Sequence, residues 1–122
     1  MKKIFYYTDI LPLLSKGEAA VDKIKRSLEL FKRSAGQVTL IWHPWSRTEE
    51  YLKLNDSPVI DSFIEMTERF INEDWGILDR NDSVSEAMNV LLDCDAYYGD
   101  AGELMLGALN AGKPVMIQNY DM

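Results

Sequence analysis

Short runs rich in β-branched and aromatic residues alternate along this chain with longer amphipathic stretches. Lys3 to Tyr7 (KIFYY) predicts a first strand. Thr8 to Gly17, which contains Pro12 and Gly17, is expected as a loop. From Glu18 to Ala35 the apolar residues fall at Val21, Ile24, Leu28, Phe31 and Ala35, a helical spacing. Lys23, Lys25, Arg26, Lys32 and Arg33 then form a solvated face, and Gly36 is expected to end the helix. Val38 to Trp42 (VTLIW) is a continuous apolar run, as a buried parallel strand requires. Ser46 and Glu49 have capping-box spacing for a short helix. Ser57 as N-cap and Pro58 at the first helical position predict another. Its stripe of Val59, Ile60, Phe63, Met66 and Phe70 belongs to a core rather than to a cofactor. Trp75 to Asp79 (WGILD) predicts a third strand. Ser83 with Glu86 caps the next helix, with Val84, Met88 and Leu91 expected inward. A fourth strand (DAYYG), a helix (GELMLGALNA) stopped by Gly112, and a fifth strand (PVMIQ) opened by Pro114 complete the chain.

Strands alternating with helices imply right-handed βαβ units and a parallel sheet covered on both faces. The expected class is therefore α/β: a three-layer, Rossmann-like or flavodoxin-like domain over residues 1–122, with five parallel strands in the order 3-2-1-4-5, the order taken from fold analogy. Ligands in such sheets bind at the carboxyl ends of the strands, near the point where strand order reverses. That point would lie between strands one and four. It is flanked by Thr8-Asp9 and by Gly99-Asp100-Ala101-Gly102-Glu103.

Composition narrows the partners. The chain has 122 residues, 47% of them hydrophobic, enough for one ordinary core. Thirteen basic residues against 20 acidic ones give a net charge of −7, which argues against nucleic acid and against electrostatic attachment to an anionic membrane. A small anionic ligand stays admissible, because helix N-termini bind phosphate through backbone N–H groups. Cys94 is the sole cysteine, so no internal disulfide is possible, and it is expected as a buried thiol at a helix end. The first ten residues, MKKIFYYTDI, do not read as a signal peptide, and no apolar run approaches the roughly 20 residues of a membrane helix. A cytoplasmic location is expected.

The candidate chemistry gathers at the strand ends. The free N–H groups that open the helix after Gly99-Asp100-Ala101-Gly102-Glu103 can hold an anion, and Gly102 would let a ligand approach the backbone. Glu103 has a second reading, as an acid that offsets the helix dipole. His43, the only histidine, follows strand two. It is either a general base or phosphate contact, or a loop histidine fixed by Pro44 and stacked on Trp42 or Trp45. Asp9, Asp79 and Asp100 also follow strand ends, and Asp79 is expected to cap the Arg80-Asn81-Asp82 turn. No spacing specifies a metal site, no cofactor is expected, and GxGxxG, GxxxxGK[ST] and GxSxG motifs are all absent.

The stretch SVSEAMNVLLDCDAYYGDAGELMLGALNAGKPVMIQNYD resembles the C-terminal segment of CDP-glycerol glycerophosphotransferase-like proteins, relatives of bacterial teichoic acid polymerases. Asp95 to Asp100 and Gly112 to Ile117 carry the closest likeness, and KIFYYTDI, VTLIWHP and EDWGILD are similar to earlier family strands. The resemblance implies one half of a two-domain GT-B glycosyltransferase-type architecture. It implies a nucleotide-linked donor such as CDP-glycerol or a nucleotide sugar, a second Rossmann-like domain in the same or another chain, and a place at the inner face of the membrane through a domain outside this sequence. His43 would be catalytic, with Thr8, Asp9 and residues 99–103 around the donor phosphates.

The departures fall on phosphate partners. The family's Ser-Ser pair is Gly102-Glu103 here, and an arginine before the second helix is Ser57. His43-Pro44 fits the family's His-Pro; an equally gapless reading puts His43 on its arginine and Trp45 on its histidine. Three expectations follow. The chain is the nucleotide-side domain of such a transferase, not active alone. Or it is a degenerate, non-catalytic module that docks a partner domain. Or it is a small flavodoxin-like regulator or nucleoside-processing enzyme.

Overall fold

A computed structural model describes residues 1–120. Its element order is β1 (Lys2–Thr8), α1 (Ile10–Lys16), α2 (Glu18–Arg33), β2 (Val38–Pro44), α3 (Thr48–Leu54), α4 (Ile60–Glu73), β3 (Ile77–Leu78), α5 (Val84–Leu92), β4 (Ala96–Gly99), α6 (Glu103–Asn110) and β5 (Val115–Ile117). The five strands form one parallel sheet in the order β3-β2-β1-β4-β5, the Rossmann-like arrangement expected from the alternating pattern.

Alternation along the strands divides the core in two. Tyr6, Leu40 and Trp42 point to the layer built by α1 to α4, where Leu13, Val21, Ile24, Leu52 and Phe63 meet them. Phe5, Ile41 and Tyr97 point to the opposite layer, with Leu91 of α5 and Leu104 and Ala108 of α6. The stripe Val59, Phe63, Met66 and Phe70 is buried, as its spacing requires. Cys94 is buried as expected. Its Sγ donates to the Val90 carbonyl at 3.3 Å, and burial pushes the thiol up to about 11.

Several local expectations need correction. Residues 10–16 are helical, not loop. The Asp9 side chain caps α1 by accepting from the Ile10 N–H, and Pro12 sits in the first turn, where no donor is needed. The Ser46–Glu49 box does not form: α3 starts at Thr48, whose hydroxyl donates instead to the Trp45 carbonyl at 2.6 Å. α4 begins at Ile60, two residues past Pro58, and Ser57 only accepts weakly from the Val59 N–H at 3.4 Å. α2 closes at Ser34, before Gly36. The third strand shrinks to Ile77–Leu78. Val84 is exposed, because Ser83 does cap α5 at Glu86 and this orients the first turn outward, while Ala87 and Leu91 face the core. No helix among the described residues is long and apolar enough to cross a membrane.

Candidate functional site

Strand order reverses between β1 and β4, where Gly99 pairs with Tyr7 and the Asp100 N–H donates to the Tyr7 carbonyl at 3.0 Å. Gly99 has φ +139, and a Cβ there would lie 2.1 Å from the Tyr7 carbonyl oxygen. Only glycine lets β4 pass β1 and turn into the loop before α6. Asp100, the next residue, is buried and held on all sides. Its Oδ2 accepts from the Asp9 N–H at 2.7 Å and from the Tyr120 hydroxyl at 2.8 Å, while the Gln118 amide reaches Oδ1 at 3.4 Å. Gln118 in turn accepts from the Tyr6 and Ser27 hydroxyls at 2.5 and 2.9 Å and donates to Tyr120 at 2.7 Å. Burial raises the Asp100 pKa, against the pull of these donors. The network ties the ends of β1, β4 and β5 into one frame.

Thr8 is also buried, and its Oγ1 accepts from the Trp42 indole N–H at 3.1 Å, on the side away from α6. Asp9 is divided between two bonds: Oδ1 accepts from the Ile10 N–H at 2.9 Å and from the Tyr7 hydroxyl at 3.1 Å. Three of the expected contact residues, Thr8, Asp9 and Asp100, therefore bond within the protein and brace the turn.

The open space lies on the other side of the sheet. A cleft of about 150 Å³ is bordered by Tyr7, His43, Ser46, Asp82, Ser83 and Glu103. α6 rises from it with no side chain capping its N-terminus, so its first-turn N–H groups have no partner of that kind. Gly102 is extended at φ 165, a conformation any residue adopts, and a Cβ there would meet only the Tyr7 ring, at 3.6 Å. Ala101 is exposed beside it, and Glu103 is the exposed acid of the first turn.

His43 belongs to β2 itself. It is 4% exposed and stacks between Phe5 and Tyr7, with ring centroids at 5.6 and 6.0 Å. No stacking on Trp42 or Trp45 occurs: Trp42 belongs to the opposite layer, and the Trp45 ring, which also borders the cleft, packs edge-on against Tyr51 at 4.9 Å. His43 Nδ1 lies 3.1 Å from Asp79 Oδ2, and Asp79 Oδ1 accepts from the backbone N–H and side-chain amide of Asn81 at 3.3 and 2.7 Å. Asp79 thus caps its turn as expected and also fixes the histidine. Burial lowers the His43 pKa, with the Asp79 carboxylate opposing this. Burial thus favours the neutral ring. With its proton on Nδ1 toward Asp79, the Nε2 lone pair is left without a partner among the described residues. A neutral histidine aimed by a carboxylate can accept a proton from a hydroxyl placed at Nε2.

The His43–Asp79 pair escaped the sequence reading, although register contained it. Trp42 pairs with Leu78, so His43 and Asp79 are the next residues on adjacent parallel strands. Gln118 and Tyr120 had no signal of their own. Among the described residues no group of three or more His, Cys, Asp or Glu is placed to hold a metal ion. No protein-family model, curated protein or solved structure matches the chain, so the site is defined by its own geometry.

Proposed function

We propose that the cleft between His43 and α6 is the donor side of a nucleotide-dependent transfer site of the CDP-glycerol glycerophosphotransferase type, completed by a second Rossmann-like domain in the same or another chain. One observation carries the reading: a buried histidine, oriented by Asp79 and with Nε2 unpaired, faces the same cleft as the uncapped N-terminus of α6. The first turn of α6 would receive the donor phosphates, and His43 would take the proton of the acceptor hydroxyl as it attacks the β-phosphorus of CDP-glycerol in line, the bond to the α-phosphate breaking to release CMP. The lone domain is half of such a site and is not active by itself; its place would be the cytoplasmic face of the membrane. Titration with CDP, CDP-glycerol and UDP-sugars, followed by amide shifts, tests the reading. Movement at Gly99 to Leu104 and at His43 is expected, and no shift at millimolar nucleotide rejects it.

The cleft's charge favours a second reading, a docking module that has lost its nucleotide. Glu103 and Asp82 border the cleft, and neither Lys nor Arg does. A diphosphate there would meet carboxylates in space that screens poorly. Gly102→Ser with Glu103→Ser then creates nucleotide affinity that the parent lacks. The substitutions fit sterically, since only the Tyr7 ring lies near a Cβ at position 102. A parent that already binds nucleotide well removes this alternative.

A further inference from the structure

The two faces of the sheet are covered unequally at the β4–β5 end. On one face α6 packs over both strands. On the other, α2 reaches only as far as Tyr98, where Phe31 tilts against the ring at 5.6 Å. Beyond it Met116 lies 67% exposed, next to Tyr98 in register, and Leu30 of α2 is 61% exposed across the gap. Between them runs an apolar groove of about 380 Å³, with Ala96, Tyr98, Pro114 and Met116 on the sheet side and Leu30 and Phe31 on the helix side. Parallel sheets are ordinarily covered on both faces, because every strand presents apolar side chains to each.

Charge identifies what fits. α2 carries Lys23, Lys25, Arg26, Lys32 and Arg33 against Glu18, Asp22 and Glu29, in a chain whose net charge is −7. Lys32 is paired with Glu73 at 2.7 Å. Leu30 separates this groove from a neighbouring hollow on α2, lined by Lys25, Arg26, Glu29 and Arg33, and Arg26 and Arg33 have no ion pair among the described residues. An apolar trough beside a hollow with three basic residues and one acid suits an amphipathic helix whose polar side is acidic. The trough is concave, so a flat bilayer fits it poorly.

We propose that the groove between α2 and β5 is a docking surface for an acidic amphipathic helix of a partner polypeptide. Its apolar stripe would seat on Tyr98, Met116 and Leu30, and its carboxylates would face Arg26 and Arg33. The contact completes the second cover of the sheet and is independent of the cleft at His43.

The probe is a synthetic helix of about 18 residues with leucines along one stripe and glutamates elsewhere, with a lysine counterpart as control. Binding is followed by amide shifts. The glutamate peptide should bind saturably, shifting Leu30, Phe31, Tyr98 and Met116, and should bind more tightly than the lysine peptide. Met116→Glu should weaken binding at least about tenfold by placing a charge in the trough, and Leu30→Glu should do the same. Both sites are largely exposed, so thermal melts should match the parent. Arg26→Glu with Arg33→Glu should reverse the preference between the peptides. The proposal is overturned by absence of saturable binding, or by binding indifferent to both Met116→Glu and Leu30→Glu. Tighter binding to phosphatidylcholine vesicles with about 30% phosphatidylserine than to the peptide would also overturn it. So would a parent dimer in light scattering that Met116→Glu dissociates, which would assign the groove to a second copy.

Discussion

Replacing Asp79 by Asn perturbs the pair at the centre of the cleft with little change in volume. In the parent, burial lowers the His43 pKa below its ordinary 6.5, and the Asp79 carboxylate 3.1 Å from Nδ1 partly restores it. An opposite charge at that range is worth about 1 to 3 pH units. Asp79→Asn should therefore drop the His43 midpoint further by about that amount. The introduced amide can keep its oxygen toward Asn81, which turns its NH2 toward Nδ1 and favours the Nε2–H tautomer, so the free acceptor in the cleft disappears. His43 is the only histidine, so its carbon-bound ring protons and ring nitrogens report without ambiguity in an NMR titration. The parent should titrate below 6.5 with the proton on Nδ1; the variant should titrate lower with the proton on Nε2. Linkage provides a second readout. Between the lowered native midpoint and about 6.5 the unfolded chain binds more protons, so stability falls as pH drops through that window, by up to about 1.4 kcal/mol per unit. A parent midpoint at or above 6.5, or a variant midpoint above the parent's, would refute the reasoning.

Other substitutions test the frame around the cleft. Gly99→Ala places a methyl 2.1 Å from the Tyr7 oxygen at φ +139, and should cost more than about 4 kcal/mol in denaturant unfolding or abolish folding. Thr8→Val leaves the Trp42 indole N–H unpaired in the core and should cost about 1 to 3 kcal/mol, with near-ultraviolet dichroism reporting the tryptophan environment. Asp100→Ala strips the acceptor from the Asp9 N–H and the Tyr120 hydroxyl and should cost about 2 to 3 kcal/mol, more than Asp100→Asn. Because the Asp100 pKa is raised on folding, its ionisation opposes the fold. Parent stability should therefore gain as pH falls through the native midpoint toward about 3.9, a gain absent in Asp100→Asn.

Periodicity carried most of the fold. Buried stripes such as Val21-Ile24-Leu28 and Phe63-Met66-Phe70 and apolar runs such as Val38 to Trp42 reflect the burial that makes the elements, so their type and order follow from side chains alone. Caps were less legible. Asp9, not Pro12, decides whether residues 10–16 coil or turn, and Thr48 outcompetes Ser46 because its hydroxyl reaches the Trp45 carbonyl. The site was legible as a location but not as a set of partners. Glycines and acids at strand ends marked the carboxyl edge. Yet Asp100 meets Gln118 and Tyr120, and His43 meets Asp79, only through sheet pairing between segments distant in sequence. That pairing engages Thr8, Asp9 and Asp100 in bonds within the protein, while His43 and Glu103 at the start of α6 border the cleft.

The proposed role of that space is tested most directly by titrating the domain with CDP-glycerol while following the amides of Gly99 to Leu104 together with the His43 ring. The account predicts saturable, coincident shifts at both, weakened by Asp79→Asn. Unmoved signals at millimolar ligand, with Gly102→Ser and Glu103→Ser together restoring binding, would contradict it and leave the cleft as the remnant of such a site.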